Sequence, residues 1–275
     1  MIGRDIALEA LGILLNANVT SVQNAGSQSG YNGDVVDGRS AQQHLSIKNF
    51  IPTIFDADET SLVSRSTFSR LQSFLEDGVQ VEGFDEVDMP TRKHFLIDEN
   101  EFFHPNYDYD FTHLKDTKTY YRGGEVYERP CGWKRFALRV LDKYDGNTWL
   151  GNRYRSTESV PGEWPVSYHG TSKEGAEGII AGFYKPGPRQ LYGRGIYSTP
   201  NITEAKNYAK TFTSKNDGKR YKVVLQNRIN PAYRQKHRNN GDYWLVSIPE
   251  GTSVTEEQKM VERAIRPYGL LLREV

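Results

Sequence analysis

The chain has 275 residues, and its 35 Lys+Arg balance 35 Asp+Glu, so its formal net charge is zero. This length fits one large domain or two small ones, and zero net charge argues against bulk attraction to nucleic acid but not against a local basic patch. A single cysteine excludes an intramolecular disulfide framework and a cysteine-cluster zinc site. The aromatic share of 12 % argues against a wholly disordered chain.

The predicted elements before residue 110 are helices separated by loops. An amphipathic helix is predicted over Asp5–Asn16, and a second over Ser66–Asp77, which begins at a capping serine and ends before a glycine. Residues 20–45 are rich in Gly, Ser, Asn and Gln without a regular period, which indicates a connector or surface loop. No apolar run is long enough for a membrane span, and the N-terminus does not resemble a signal peptide. We predict a helical, loop-rich region over residues 1–110.

Short runs rich in aromatic and β-branched residues begin near Tyr120. They predict strands at Trp133–Val140, Trp164–Tyr168, Arg220–Gln226, Asp242–Ile248 and Gly269–Val275. Helices are predicted over Lys173–Ala181, from a cap at Thr203 through Phe212, and from a cap at Thr255 through Ala264. Because strands outnumber helices and do not alternate with them regularly, the predicted fold class is α+β with largely antiparallel sheets.

The most unusual residues lie between 167 and 208. In the segment SYHGTS, a predicted strand ends at His169 and Gly170, and the hydroxyl residues Thr171 and Ser172 follow. A histidine at a strand end can donate to a ligand hydroxyl, while a glycine backbone can lie close to a flat ligand. The alternative is a hydrogen-bonded histidine in a turn. None of the six histidines forms a pair at metal-ligand spacing, so no metal site is predicted.

Two tyrosines follow this histidine. Tyr197 ends the segment YGRGIY, and Tyr208 comes eleven residues later in the predicted helix. Two rings that flank a slot could stack on both faces of an aromatic ligand. In a chain with 17 Tyr, both could equally be core aromatics.

Together these motifs resemble the catalytic domain of the poly(ADP-ribose) polymerase-like ADP-ribosyltransferases. That family has a strand ending in His-Gly-Thr/Ser, a helix ending in Gly-Phe/Leu, then Gly-x-Gly-Ile-Tyr and a second Tyr on a later helix. This chain has YHGTSKEGAEGIIAGF followed by YGRGIYSTPNITEAKNYAK. The match is close over about residues 165–212 and looser to residue 275, which together make up about two fifths of the chain. It implies an ADP-ribosyltransferase catalytic domain over residues 111–275.

The resemblance implies a split antiparallel β core whose cleft takes NAD as co-substrate, without a metal. By this resemblance His169 bonds the ribose of the nicotinamide and the adenosine side, and Gly170 bonds the carboxamide through its backbone. Tyr197 and Tyr208 then sandwich the nicotinamide ring. The other implied NAD contacts are Thr171 and Ser172 near the adenosine ribose, and Arg189 and Arg194 near the pyrophosphate, in a loop over the cleft at residues 183–194. Solvated loop charges are the alternative for the two arginines.

Two positions depart from the family pattern. Ala205 stands where the family often has a Ser that bonds the carboxamide, so the expected affinity for NAD is modest. Family members that build chains have a Glu at the start of a late strand, and the best match here is Asp242, one methylene shorter. A carboxylate there stabilises the positive charge that grows at the anomeric carbon as nicotinamide leaves. The alternative is that Asp242 belongs to a turn and that Glu250 or Glu256 acts instead.

The predicted function is NAD-dependent mono-ADP-ribosyl transfer with His169, Tyr197 and Asp242 as catalytic residues. The shorter acid argues against chain growth and favours single transfer or NAD hydrolysis, as in an NAD glycohydrolase. A tRNA 2′-phosphotransferase is a second alternative, although its expected arginine-rich catalytic set is not evident. An inactive ADP-ribose- or NAD-binding module is the non-enzymatic alternative.

The acceptor predicted for this transfer is a protein. A nucleic-acid acceptor is the alternative, because Lys206–Arg238 holds ten Lys or Arg and one acidic residue, Asp217. That basic segment could equally be a solvated surface. Tyr120–Asp145 is rich in arginines and aromatics, and Arg122, Arg129, Lys134 and Arg135 could contact an acceptor or simply flank strands. With one cysteine and no apparent signal peptide, we expect an intracellular protein, in cytoplasm or nucleus.

Overall fold

A computed structural model describes residues 2–25, 43–54, 93–170, 195–237 and 242–275. Its α-helices are α1 Arg4–Leu15, α2 Val22–Ala25, α3 Glu99–Phe102, α4 Ile202–Asn207 and α5 Val254–Ala264. Its strands are β1 Asn18–Ser21, β2 Gln43–His44, β3 His94–Ile97, β4 Tyr109–Asp110, β5 Tyr121–Arg122, β6 Glu125–Val126, β7 Lys134–Ala137, β8 Val166–His169, β9 Gly195–Ser198, β10 Lys210–Thr213, β11 Arg220–Ile229, β12 Gln235–His237, β13 Tyr243–Ser247 and β14 Ile265–Glu274. The described residues thus form an α+β fold, as the sequence predicts.

A six-stranded antiparallel sheet forms the centre of the fold. Its strand order is β10-β11-β14-β7-β4, and β8 also pairs with β11. The long strand β11 pairs with β10 through residues 220–223 and then with β8 through residues 225–228. Its residues 223–229 are all buried, as expected for a central strand covered on both faces.

A second antiparallel sheet, β12-β13-β9, meets the large sheet at one point. There the backbone N–H of Tyr168 in β8 donates to the carbonyl of Thr199 at 2.7 Å, and the N–H of Thr199 donates back at 2.9 Å. Beyond this single bridge β8 belongs to the large sheet and β9 to the second sheet. The two sheets therefore separate beside the end of β8.

The N-terminal helix packs on the large sheet. Leu11 and Leu14 of α1 are fully buried in one hydrophobic cluster with sheet residues such as Val223 and Leu270. Lys210 of β10 donates from Nζ to the carbonyls of Ile13 and Leu14 at 3.2 and 3.3 Å, which satisfies acceptors at the C-terminal end of α1.

The region before residue 110 also contains a sheet that the sequence does not predict. It has the order β1-β3-β2, and its strands are parallel. These strands have two to four residues, too few to show a period of two. The predicted domain boundary falls at the end of β4, which pairs with β7 of the large sheet.

The helix predicted from Thr203 differs most from the structure. Asn201 caps it instead, by accepting the N–H of Glu204 at 2.9 Å, and α4 ends at Asn207. Phe212 was expected on its apolar face but lies in β10 opposite Tyr221, because the alternating Thr211 and Thr213 favour a strand there.

Other element ends shift by a few residues. Ser253, not Thr255, caps α5. The last strand starts at Ile265 rather than Gly269, and accommodates Pro267 beside the register shift between Gln226 and Asn227.

The predicted helices Ser66–Asp77 and Lys173–Ala181 lie outside the described residues. Within the described residues, no helix is long and apolar enough to cross a membrane.

We expect Leu14→Ala to lower the free energy of unfolding by about 2–5 kcal/mol, because it leaves a cavity under α1. All four tryptophans lie after residue 110, so their fluorescence follows the unfolding of the C-terminal part of the chain. If α1 belongs to the same cooperative unit, urea unfolding followed by tryptophan fluorescence shifts together with far-UV circular dichroism. The exposed control Asp5→Ala on the same helix should cost less than about 1 kcal/mol. A fluorescence transition unchanged by Leu14→Ala would contradict a shared unit.

Candidate functional site

The last residue of β8, His169, lies where the two sheets separate. Its ring Nδ1 is 2.6 Å from the backbone carbonyl oxygen of Tyr197 in β9. Because a carbonyl oxygen can only accept, Nδ1 carries the proton in this contact, and in the neutral ring Nε2 is then the acceptor nitrogen. The hydrogen bond fixes the tautomer and the orientation of the ring.

Strand pairing defines which side chains share the Tyr197 face of the second sheet. Tyr197 pairs with Leu245 of β13, and Ser198 pairs with Trp244. Side chains alternate along a strand, so Tyr243 and Leu245 lie on the Tyr197 face, whereas Trp244 faces the main hydrophobic cluster. Tyr197 itself is half-buried.

Gly170 holds the end of β8 against the C-terminal end of α4. A Cβ atom at this position would lie 2.7 Å from the carbonyl oxygens of both Ala205 and Tyr208. Only glycine permits this approach without displacing backbone. The close contact brings Tyr208, immediately after α4, beside the His169 strand.

Tyr208, Glu204 and Tyr243 form a connected group of polar side chains. The Tyr208 hydroxyl donates to Oε1 of Glu204 at 2.9 Å, and the Tyr243 hydroxyl donates to the same oxygen at 2.5 Å. The two hydroxyl oxygens are 3.0 Å apart. Burial and the Glu204 carboxylate raise the pKa of the Tyr208 phenol and that of the Tyr243 phenol, so both remain protonated at neutral pH.

Sequence reasoning did not find Glu204 or Tyr243. Glu204 precedes Tyr208 by four residues, a spacing that places both on one side of a helix, and this was the available signal. Tyr243 directly follows Asp242 in the late-strand motif. Its hydroxyl reaches Glu204 only because of the β9–β13 register, which no local pattern predicts.

The predicted catalytic acid Asp242 is exposed and immediately precedes β13. It lies at the end of β13 that is near Thr199 and hence near the bridge to β8. Glu250 and Glu256 follow the opposite end of this strand, beyond Ser247. Of the three carboxylates considered from sequence, Asp242 is therefore the one at the His169 end of the second sheet.

The remaining predicted NAD contacts fall outside the described residues. These are Thr171, Ser172, Arg189 and Arg194, together with the loop at 183–194. The described part of the site thus contains His169, Gly170, Tyr197, Tyr208 and Asp242. Within the described residues, no group of three or more His, Cys, Asp or Glu is placed to hold a metal ion.

The charges of the basic segment Lys206–Arg238 are spread over several elements and mostly have internal partners. Lys210 bonds the end of α1, Lys222 donates to the carbonyl of Lys206, and Arg228 is buried beside Glu163. Further partners are Glu274 for Lys219 and Glu125 for both Arg234 and Lys236. Six of the nine Lys and Arg that the structure describes in this segment therefore have a partner within the protein.

No protein-family model matches this chain, and a search of the curated proteins finds no match either.

Stability should fall at alkaline pH, in part through the Glu204 tyrosines. The folded-state pKa of Tyr243 is raised above its ordinary value of about 10. Above that pH the unfolded chain releases a proton that the folded chain keeps, so stability present below about pH 10 is lost as the pH rises. The measurement is the free energy of unfolding in urea between about pH 8 and 11. In Tyr243→Phe this free energy should fall less steeply with pH than in the wild type, by at most about 1.4 kcal/mol per pH unit, the limit for one proton. A slope equal to that of the wild type would contradict the assignment.

Proposed function

We propose that the chain is an NAD-dependent mono-ADP-ribosyltransferase with a split β core of the ADP-ribosyltransferase type. The observation that carries the proposal is the hydrogen bond from His169 to the Tyr197 carbonyl at the separation of the two sheets. It joins two motifs, His-Gly-Thr and Gly-x-Gly-Ile-Tyr, that are 28 residues apart in sequence. The close contact between Gly170 and the end of α4 also brings Tyr208 next to His169. Tyr208 is the second tyrosine of the family resemblance.

The proposed reaction exchanges one bond at the anomeric carbon of a ribose. The bond between C1′ and the nicotinamide nitrogen breaks, and nicotinamide leaves with the bonding electron pair. A lone pair of an acceptor oxygen or nitrogen then forms the new bond to C1′, and the acceptor releases a proton. With water as acceptor the same step is NAD hydrolysis, so transfer and hydrolysis differ only in which nucleophile is present.

Each residue of the site has a proposed task in this step. His169, held at Nδ1 by the Tyr197 carbonyl, bonds ribose hydroxyls, and the backbone of Gly170 bonds the carboxamide. The half-buried rings of Tyr197 and Tyr208 flank the nicotinamide. The Asp242 carboxylate stabilises the positive charge that develops on the ribose.

The proposed affinity for NAD is modest. Ala205, where the family often has a carboxamide-bonding Ser, is fully buried in a hydrophobic cluster with Tyr168 and Ile202. It brings no hydroxyl to the site. One hydrogen bond to a ligand contributes about 0.5–1.5 kcal/mol, so its loss weakens binding by up to about tenfold.

His169→Ala should reduce nicotinamide release from NAD at least about tenfold, because it removes a hydrogen bond made to the substrate. Release is measured by chromatography of the purified protein with NAD, and the ADP-ribose product is analysed in the same sample. Attached ADP-ribose indicates transfer, and free ADP-ribose indicates hydrolysis. The matched control is His113→Ala, at an exposed histidine outside the site, which should keep the wild-type rate. A wild-type rate for His169→Ala would contradict the proposal.

The acting carboxylate is tested by three isosteric amide variants. Asp242→Asn should lower nicotinamide release by about 100-fold or more, as expected when one group that stabilises transition-state charge is removed. Glu250→Gln, at the other end of β13, should keep the wild-type rate. Glu204→Gln should alter KM more than kcat, since Glu204 positions the two tyrosines. If Glu204→Gln loses kcat while Asp242→Asn does not, the carboxylate is Glu204 and the Asp242 assignment is wrong.

A further inference from the structure

A large groove lies on the face of the central sheet opposite to His169. Tyr168 and Val166 of β8 pair with Gln226 and Arg228 of β11, and these side chains share one face. The next residue, His169, lies on the other face. The groove has a volume of about 1240 Å³, more than the roughly 300–1,000 Å³ of small-molecule pockets. The groove therefore lies on the opposite face of the sheet from His169, and its volume suits an extended ligand.

Arginines dominate the charge of this groove. Its lining contains one carboxylate, Asp108, which pairs with Arg4, and six arginines: Arg122, Arg129, Arg135, Arg153, Arg155 and Arg228. Arg129 pairs with Asp116 and Arg228 with Glu163. The other four have no carboxylate partner among the described residues, so the groove keeps a net positive charge.

The outer wall of the groove is a loop held in place by a buried arginine. Arg122 is only 4 % exposed, and its guanidinium donates to the carbonyls of Tyr121, Tyr154 and Ser156. These bonds satisfy the buried cation and fix the backbone of the loop. The run Arg153-Tyr154-Arg155 belongs to this loop, and all three residues are exposed.

Exposed aromatic rings stand beside these cations. Tyr154 is 70 % exposed, and Tyr107 and Tyr109, which also line the groove, are each 45 % exposed. Each presents a ring on which a base can stack. All three tyrosines line the same groove.

The floor of the groove carries nitrogen donors that lack partners. Arg135 lies flat across Gly269, where a Cβ atom would come within 2.7 Å of its Cδ. The buried Nε atoms of Arg135 and Arg228 have no hydrogen-bond partner within the described part of the chain. Arg228 is only 5 % exposed, so this unsatisfied donor has a substantial desolvation cost. These Nε atoms are inaccessible from the groove, so an anionic ligand there would meet the exposed residues Arg153 and Arg155 instead.

We propose that this groove binds single-stranded nucleic acid. Guanidinium groups bond phosphate oxygens, and the three tyrosines provide stacking faces that an acidic peptide would not use. A duplex would keep its bases stacked inside and could not use these rings. The site does not depend on the proposed transferase activity, because it lies on the other face of β8.

The test is fluorescence anisotropy of the 275-residue chain with labelled oligothymidylate and oligouridylate of about 20 nucleotides, longer than one typical binding site. NAD is left out, so failure of catalysis cannot affect the result. Arg153→Ala/Arg155→Ala should reduce the slope of log affinity against log salt by about 1.4, as expected for two lost phosphate contacts to a single strand. Tyr154→Ala should weaken binding at least about fivefold, while Tyr154→Phe keeps it within about twofold.

A matched control separates the groove from the basic segment. Lys215→Ala/Arg220→Ala removes the same charge from two exposed positions of Lys206–Arg238 and should leave both affinity and salt slope unchanged. The proposal is overturned if the wild type does not bind, or if this control weakens binding as much as the groove variant. Equal competition by a duplex or by polyglutamate would also overturn it, because either result removes the role of base stacking.

Discussion

The backbone pairing of Tyr168 with Thr199 is the contact on which the site depends. Tyr168 uses its N–H and carbonyl toward β9, while β8 pairs with β11 along its other edge. Its fully buried side chain is fixed as well, because the hydroxyl donates to the carbonyl of Glu128 at 2.6 Å. One residue thus ties two sheets and a neighbouring loop together. The backbone of the next residue, His169, is therefore held in place. A single hydrogen bond to the Tyr197 carbonyl then orients its ring.

The close contact at Gly170 fixes the position of α4 relative to strand β8. Because the backbone of α4 contacts Gly170 directly, the positions of Glu204 and Tyr208 follow from that of β8. Glu204 then links Tyr208 to Tyr243 of the second sheet. Besides the His169–Tyr197 hydrogen bond, the bridge at Tyr168 and this carboxylate therefore also connect the two sheets. Loosening either connection would move the rings relative to His169, although neither contact touches it.

Sequence patterns predicted this site only where its residues lie on short, continuous motifs. His169 and Gly170 end a strand of apolar and aromatic residues, and Tyr197 follows two glycines. Each motif alone fits an ordinary structural role equally well, so only the family resemblance singles out these residues as a set. Tyr243 meets Glu204 through strand register, which depends on the whole second sheet. The sequence was an equally incomplete guide to the groove. It singled out Arg122 and Arg129, but Arg122 bonds the carbonyl of Tyr154 and Arg129 pairs with Asp116. The exposed cations come instead from Arg153 and Arg155, on a loop without a sequence pattern.

The two faces of β8 constrain how the two proposed activities can cooperate. Tyr168 faces the groove side and His169 the opposite side, so a strand in the groove does not contact the proposed catalytic histidine directly. Nucleic acid bound in the groove would hold the protein on that strand. It would not place an acceptor atom at C1′ of NAD. Energetic coupling between them could pass through β8 or through β11, whose Arg228 lines the groove and whose Leu225 pairs with His169. This geometry favours a groove that determines where transfer occurs, and an acceptor that approaches from the other face.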